Sequence, residues 1–337
     1  MSSKESTQLT WVETLMRWCG AGVDIEDIKN AAACGAQVVQ CNLDAWAWKT
    51  PLSDQGGVLG GDPFADFVKV CQLYNVKALA YVGGFTKITD PDFVKQHEDW
   101  LRIDAEGRRS TQGWMCYNTP FGDFLIQRCA ELVKRYELVG LWIDGYNPLF
   151  TPCYCPHCKA AYAKASGGGE IPRKFDPADM NAVRYVRWHI ENLNDFSSRL
   201  CKAVREARPG AVVLANFAAT REWARKTPWP LWDSTTGLRR VHAPSLELWW
   251  ENPGDAVHQS FAIQSLRAGA GEGPTEVWMV TRPRGVDSTA LTRVELLCRM
   301  FSVIANGSWP DIVADPGDLA RSKLCFDEMR PRVPWMI

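Results

Sequence analysis

The sequence predicts a (β/α)8 barrel, on three observations. Short apolar, β-branched runs alternate with longer amphipathic stretches along the chain. About eight such strand–helix pairs can be counted, in line with the ~250-residue plan of eight units plus loop insertions. No repeat of 20–50 residues and no low-complexity tract interrupts them, and the GGG at 167–169 marks a loop rather than a boundary. Residues 1–337 therefore read as a single barrel domain. A doubly wound sheet uses the same alternation, but eight units favour closure.

Each element has a local reason. The first strand falls in residues 14–19 (TLMRWC), and residues 24–34 read as a helix with Asp24 as its N-cap. AQVVQCNL, 36–43, is apolar and of strand length. Residues 62–74 begin with Asp-Pro and read as a helix, followed by the strand VKALAYVG, 76–83. Apolar residues at helical spacing mark 121–136, and VGLWID, 139–144, is the fourth strand. A long helix over 180–207 precedes strands at 211–217 and 245–250. Helices at 256–268 and 291–305 flank the strand 276–281. A short last strand is placed at 307–309 and a closing helix at 318–329.

Composition excludes several functions. With 38 basic and 39 acidic side chains the net charge is −1, so no basic excess exists to neutralise the phosphates of a nucleic acid. The opening MSSKESTQLTW lacks a basic region followed by an apolar run, and no stretch reaches the ~20 apolar residues of a membrane span. The expectation is a cytoplasmic protein with neither membrane nor nucleic-acid partner; a homo-oligomer is compatible with the sequence. In a reducing compartment the 12 cysteines are free thiols or metal ligands.

In such a barrel, chemistry sits at the C-terminal ends of the strands. GLWIDGYN is the most informative segment there: an apolar run, then an acid, then a glycine that lets the chain turn away. Glycoside hydrolysis needs two carboxyl groups across the scissile bond, one ionised to attack or to activate water and one protonated to support the leaving group. Asp144 suits the first role; a strand-end cap or a salt bridge is its structural alternative. Glu247 in SLELWW suits the second, since apolar and aromatic neighbours disfavour its charged form. Its alternatives are substrate positioning or a place in the core. Glu251 and Asp233 are weaker candidates for the second acid.

The 16 tryptophans fit a sugar site, because aromatic faces pack on the CH faces of pyranose rings, although most tryptophans in any barrel are core. Trp46, Trp48, Trp114, Trp142, Trp249 and Trp250 are the candidates. Polar candidates for substrate binding are Asn42, Asn118, Asn216, Glu251 and Arg282. Asn118 has helix capping as its alternative, and Arg282 pairing with an acid of the wall. His97 and Trp100 read as structural, with substrate binding as the alternative.

CYCPHC places Cys153, Cys155 and Cys158 in C-x-C-x2-C spacing within one loop. Thiolates so spaced suit a structural zinc site, which wants four ligands and leaves no open position for water. The fourth is Cys116, from the loop after strand 3, or His157 inside the motif; unmetallated buried thiols are the bland alternative. The other eight cysteines (19, 34, 41, 71, 129, 201, 298, 325) read as core.

The segments MCYNTPFGDFLIQRCAELVKRYELVGLWIDGYN and CYCPHCKAAY, with QHEDW (96–100) and the turn from Asp104 to Gly107, resemble the group called hypothetical glycosyl hydrolase 6. The same elements resemble family 42 β-galactosidases, where four such cysteines bind zinc. That resemblance implies Cys116, Cys153, Cys155 and Cys158 as ligands of a structural Zn2+. It does not extend to that family's acids: Gly145 and Tyr146 stand where the family has Asn-Glu, and Glu276 lies at the start of strand 7 rather than at its end. The WIDG pattern is similar to family 29 α-L-fucosidases, which implies Asp144 as nucleophile. Together the resemblances imply a glycoside hydrolase for a small glycoside or oligosaccharide, fucosidase-like or galactosidase-like. It would retain configuration, with Asp144 as nucleophile and Glu247 as acid/base. The alternative is a barrel that binds sugar without cleaving it.

Overall fold

The computed structural model describes residues 12, 15–21, 25–41, 63–83, 85–145, 151–216, 231, 240–248, 256–271, 273–280, 292–313 and 319–333. Eight parallel strands close into a barrel in sequence order: β1 (Arg17–Ala21), β2 (Val38–Cys41), β3 (Lys77–Val82), β4 (Gly140–Ile143), β5 (Val212–Asn216), β6 (Ala243–Leu248), β7 (Glu276–Val280) and β8 (Trp309–Val313), which pairs back with β1. Around it run α1 (Ile25–Cys34), α2 (Pro63–Leu73), α3 (Pro91–Gln96), α4 (Pro120–Arg135), α5 (Pro156–Ser166), α6 (Met180–Ala207), α7 (Ala256–Ala270), α8 (Arg293–Ala305) and α9 (Leu319–Met329). Among the described residues no helix is long and apolar enough to cross a membrane.

Strand alternation divides the core in two. Val38, Leu79, Trp142, Val212, Leu214 and Ala243 fill the barrel. Their strand neighbours Val39, Ala80, Leu141, Ile143, Val213 and Ala215 face the helices. Both strand faces are buried, which is why these strands read as continuous apolar runs rather than alternating ones. The (β/α)8 expectation holds. Local chemistry sets the helix starts. Thr119 caps α4 ahead of Pro120, Asp179 caps α6, and Thr292 with Glu295 forms a capping box on α8.

Three expectations need correction. The last strand begins at Trp309, where it was expected to end, because Gly307 at φ +79° is the turn that leaves α8. Pro310 and Asp311 disguised the strand. Helices α3 and α5 were not foreseen; α5 buries only Cys158 and Tyr162 and has no apolar stripe to reveal it. Cys298 is exposed rather than core, since α8 turns Leu296, Arg299, Met300 and Val303 inward and leaves Cys298 on its outer side.

The lower barrel carries a buried polar layer. Arg17 meets Glu276 at 2.7 Å with both side chains almost fully buried. Glu276 Oε1 also accepts from Trp142 Nε1 at 2.8 Å and from Ser245 Oγ at 3.0 Å. Burial, and then the Glu276 charge, pushes the neighbouring Asp311 carboxyl well above the usual carboxylate range. Arg17 is thereby matched by one carboxylate rather than two. Glu276→Ala would remove the acceptor shared by Arg17, Trp142 and Ser245 and leave Asp311 to take over the arginine's charge, and it is expected to cost about 1–3 kcal/mol, read from urea unfolding.

Two buried histidines make stability depend on pH. His242 Nδ1 accepts the Val213 N–H at 2.9 Å, which requires a neutral ring, and burial pushes its pKa down to about 4. Burial and then the Arg102 charge push His189 down to about 3. The unfolded chain takes up these protons near pH ~6.5. Below that pH the unfolded state binds more protons, so stability falls as pH drops toward 4 and then 3. The melting temperature is expected to decline over this window, less steeply in His242→Gln.

Candidate functional site

Asp144 follows β4 directly, and Gly145, at φ +67°, turns the chain so that its own N–H donates to Asp144 Oδ1 at 2.8 Å. Asn216, the last residue of β5, donates Nδ2 to Asp144 Oδ1 at 3.1 Å and to Glu247 Oε2 at 2.8 Å. The tip of Tyr81, from β3, donates to Asp144 Oδ2 at 2.7 Å. Three donors from three elements hold both Asp144 oxygens in place, and one amide nitrogen couples the two acids. One oxygen of each acid thus lies within hydrogen-bonding distance of the same amide nitrogen.

Below the acids lies an aromatic floor. Tyr81 stacks on Trp142 at 5.6 Å between ring centroids, and Trp142 packs against Trp278 at 6.3 Å. Cys19 Sγ accepts from Trp278 Nε1 at 2.7 Å and from Gln40 Nε2 at 3.2 Å. Trp142 is buried in this floor with its indole N–H committed to Ser245 and Glu276, so it is no sugar platform.

The structure brings Asp144, Glu247 and Asn216 together at the end of the barrel where the sequence placed them. Asn42, Trp46, Trp48, Asp233, Trp249, Trp250, Glu251 and Arg282 lie outside the described residues. Asn118 is occupied elsewhere, donating to Cys158 Sγ at 3.2 Å and accepting from Asn192 at 2.9 Å, while Thr119 does the capping. His97 stacks on Trp100 at 3.8 Å within an aromatic cluster, as its structural reading expects. Tyr81 was missed. Its signal is a polar-tipped ring in an apolar strand, aligned with Trp142 on β4, two positions before Asp144.

Beside this site, Cys116, Cys153, Cys155 and Cys158 are all buried, with their sulfurs within 4.8 Å of one another. Tetrahedral zinc at ~2.3 Å from each thiolate needs sulfurs ~3.8 Å apart, so the donor set fits. Cys116 and Cys158 lie 3.4 Å apart, and Cys155 and Cys116 3.8 Å. His157 is exposed and outside the cluster, leaving Cys116 as the fourth ligand atom. The hydrogen bond from Cys116 holds the Cys153 and Cys155 thiols below their ordinary value, while hydrogen bonds within the same cluster push Cys116 and Cys158 well above theirs. The Cys158 N–H and the Asn118 amide also point at sulfur, and the buried Arg102 guanidinium, bonded to the Thr151 carbonyl, places its charge beside Cys153, Cys116 and Cys158. These contacts bring donors and positive charge to the sulfurs, which favours their thiolate form.

No protein-family model matches the sequence, and no curated protein matches it. Solved structures do. A β-galactosidase from Bacillus circulans sp. alkalophilus superposes with a TM-score of 0.74 at 13% identity, over 96% of this chain and 57% of that one. The glycoside hydrolase domain of PgaB (BpsB) from Bordetella bronchiseptica gives 0.61 at 13% identity, over 96% and 97%. An α-L-fucosidase isoenzyme 2 from Paenibacillus thiaminolyticus gives 0.60 at 15%, over 93% and 47%. The chain thus spans just over half the length of that galactosidase. At these identities the likeness shows the fold: the barrel of several glycoside hydrolases.

Proposed function

We propose that the protein is a retaining glycoside hydrolase acting on a small glycoside or oligosaccharide. The observation that carries this is the pairing of Asp144 and Glu247 on a single Asn216 amide, at the barrel end where chemistry sits. Direct attack by one acid with proton transfer by the other is the retaining course. Asp144, with both oxygens accepting, attacks the anomeric carbon. Glu247 protonates the departing oxygen and then deprotonates the water that releases the sugar. Asn216 keeps the two groups in register, and Tyr81 orients Asp144. The shared barrel of galactosidases and a fucosidase supports the class and leaves the sugar open.

Zinc bound by Cys116, Cys153, Cys155 and Cys158 would supply a structural cross-link between the loops after β3 and β4, with no part in the chemistry. A panel of nitrophenyl glycosides tests the assignment. Cleavage of at least one, abolished in Asp144→Asn, supports it; sugar binding without any cleavage places the chain with non-hydrolytic barrels instead. Tyr81→Phe keeps the ring stack and removes one donor. It is expected to lower kcat about tenfold with KM within ~twofold, checked by steady-state kinetics on the same glycoside.

A further inference from the structure

The loops after β3 and β4 line an open groove, of about 470 Å³, on the side of the barrel to which the chain passes after β3 and β4. That volume falls within the range of small-molecule sites. Arg109, Thr111, Gln112 and Trp114 line one side, and Thr151 and Pro152, just before the cysteine cluster, the other. Trp114 is partly buried and held in place: its indole N–H donates to Gln112 Oε1 at 3.2 Å, and the Lys87 ammonium lies 5.7 Å from its ring centroid. A tryptophan fixed by polar contacts at the edge of a cavity is a ready stacking platform for a pyranose ring. The charge of the lining is positive. Arg108 is tied to Asp104 at 2.7 Å and to Glu106 at 2.9 Å, whereas the exposed Arg109 has no acidic partner among the described residues.

We propose that this groove is a second carbohydrate subsite, in which Trp114 stacks on a sugar ring and Arg109 pairs with its acidic group, a uronate carboxylate or a sulfate. A forked guanidinium suits either oxyanion. The cysteine cluster pins the Thr151–Pro152 wall, so the groove stays open. It serves Asp144 and Glu247 only if those groups cleave glycosides, so binding is measured apart from turnover.

Asp144→Asn protein is titrated calorimetrically with three tetrasaccharides of equal length: oligogalacturonate, a sulfated galactan and a neutral galactan. At least one acidic probe is expected to bind ~10-fold or more tightly than the neutral one at low salt, with the gap closing near ~1 M salt. Which acidic probe binds separates carboxylate from sulfate. Arg109→Ala, a surface change that spares folding, should abolish the preference. Trp114→Ala should weaken all binding ~10-fold and Trp114→Phe less, with melting curves confirming that both variants fold. Equal affinity for acidic and neutral probes, a preference that survives Arg109→Ala, or no binding of either acidic probe overturns the proposal. Nitrophenyl monosaccharides carry no second sugar to place in the groove, so failure to cleave them counts against Asp144 and Glu247 and not against the groove.

Discussion

Asp144→Asn is expected to lower kcat on the best nitrophenyl glycoside by ~10³–10⁶-fold, the range seen when a catalytic nucleophile is removed. That corresponds to ~4–8 kcal/mol of barrier. The substitution is nearly isosteric, and Gly145 N–H, Asn216 and Tyr81 remain to hold the new side chain, so folding should be unaffected. The stereochemistry of rescue distinguishes the two acids. In Asp144→Ala, azide can enter the vacated space, attack the anomeric carbon directly and give the inverted glycosyl azide. In Glu247→Ala the glycosyl-enzyme still forms, and azide attacking it gives the retained product. NMR of the products reads both. Activity of Asp144→Asn within tenfold of wild type, or the same product configuration from both alanine variants, would remove these assignments.

Cys155→Ser is expected to have the largest effect on stability. Cys155 is fully buried, caps α5 and lies 3.8 Å from Cys116, so a metal held by the cluster would join the two loops through it. Apparent binding free energies at structural zinc sites are about 10–16 kcal/mol. Losing about 5 of these, at about 1.4 °C per kcal/mol for a chain of this length, lowers the melting temperature by ~7 °C. Elemental analysis should fall from about one zinc per chain to none, and exhaustive chelation of the wild type should reproduce the shift. Cys298→Ser, at an exposed thiol remote in sequence from the cluster, should leave metal content and melting unchanged. Unaltered melting after complete removal of zinc would show that the cluster does not staple the loops.

Much of the fold was legible because burial on both strand faces writes itself into the chain as apolar runs. VVLAN and GLWI need no knowledge of their neighbours to be recognised. WPDIV was misread for the converse reason: Asp311 belongs in the barrel only because Arg17 and Glu276, far away in sequence, share its layer. Cys298 looked like core because single cysteines are so often buried, and helix phase alone turns it outward. The catalytic candidates divide in the same way. Asp144 announced itself by its place before a glycine, whereas Tyr81 became a partner of Asp144 only when β3 was aligned against β4.

By itself the sequence determined the order of the eight strands and of the helices that carry an apolar stripe, the acid after β4 and the spacing of three cysteines, since each depends on local periodicity or on neighbours within a few residues. Tertiary structure alone decided that Asn216 would hold Asp144 and Glu247 together, that Cys116 rather than His157 would complete the cluster, and that Glu276 would neutralise a buried arginine. Strand pairing around the barrel sets those distances, and it brings together side chains from different strands and loops, Arg17 and Glu276 from opposite ends of the chain among them, that no local pattern connects.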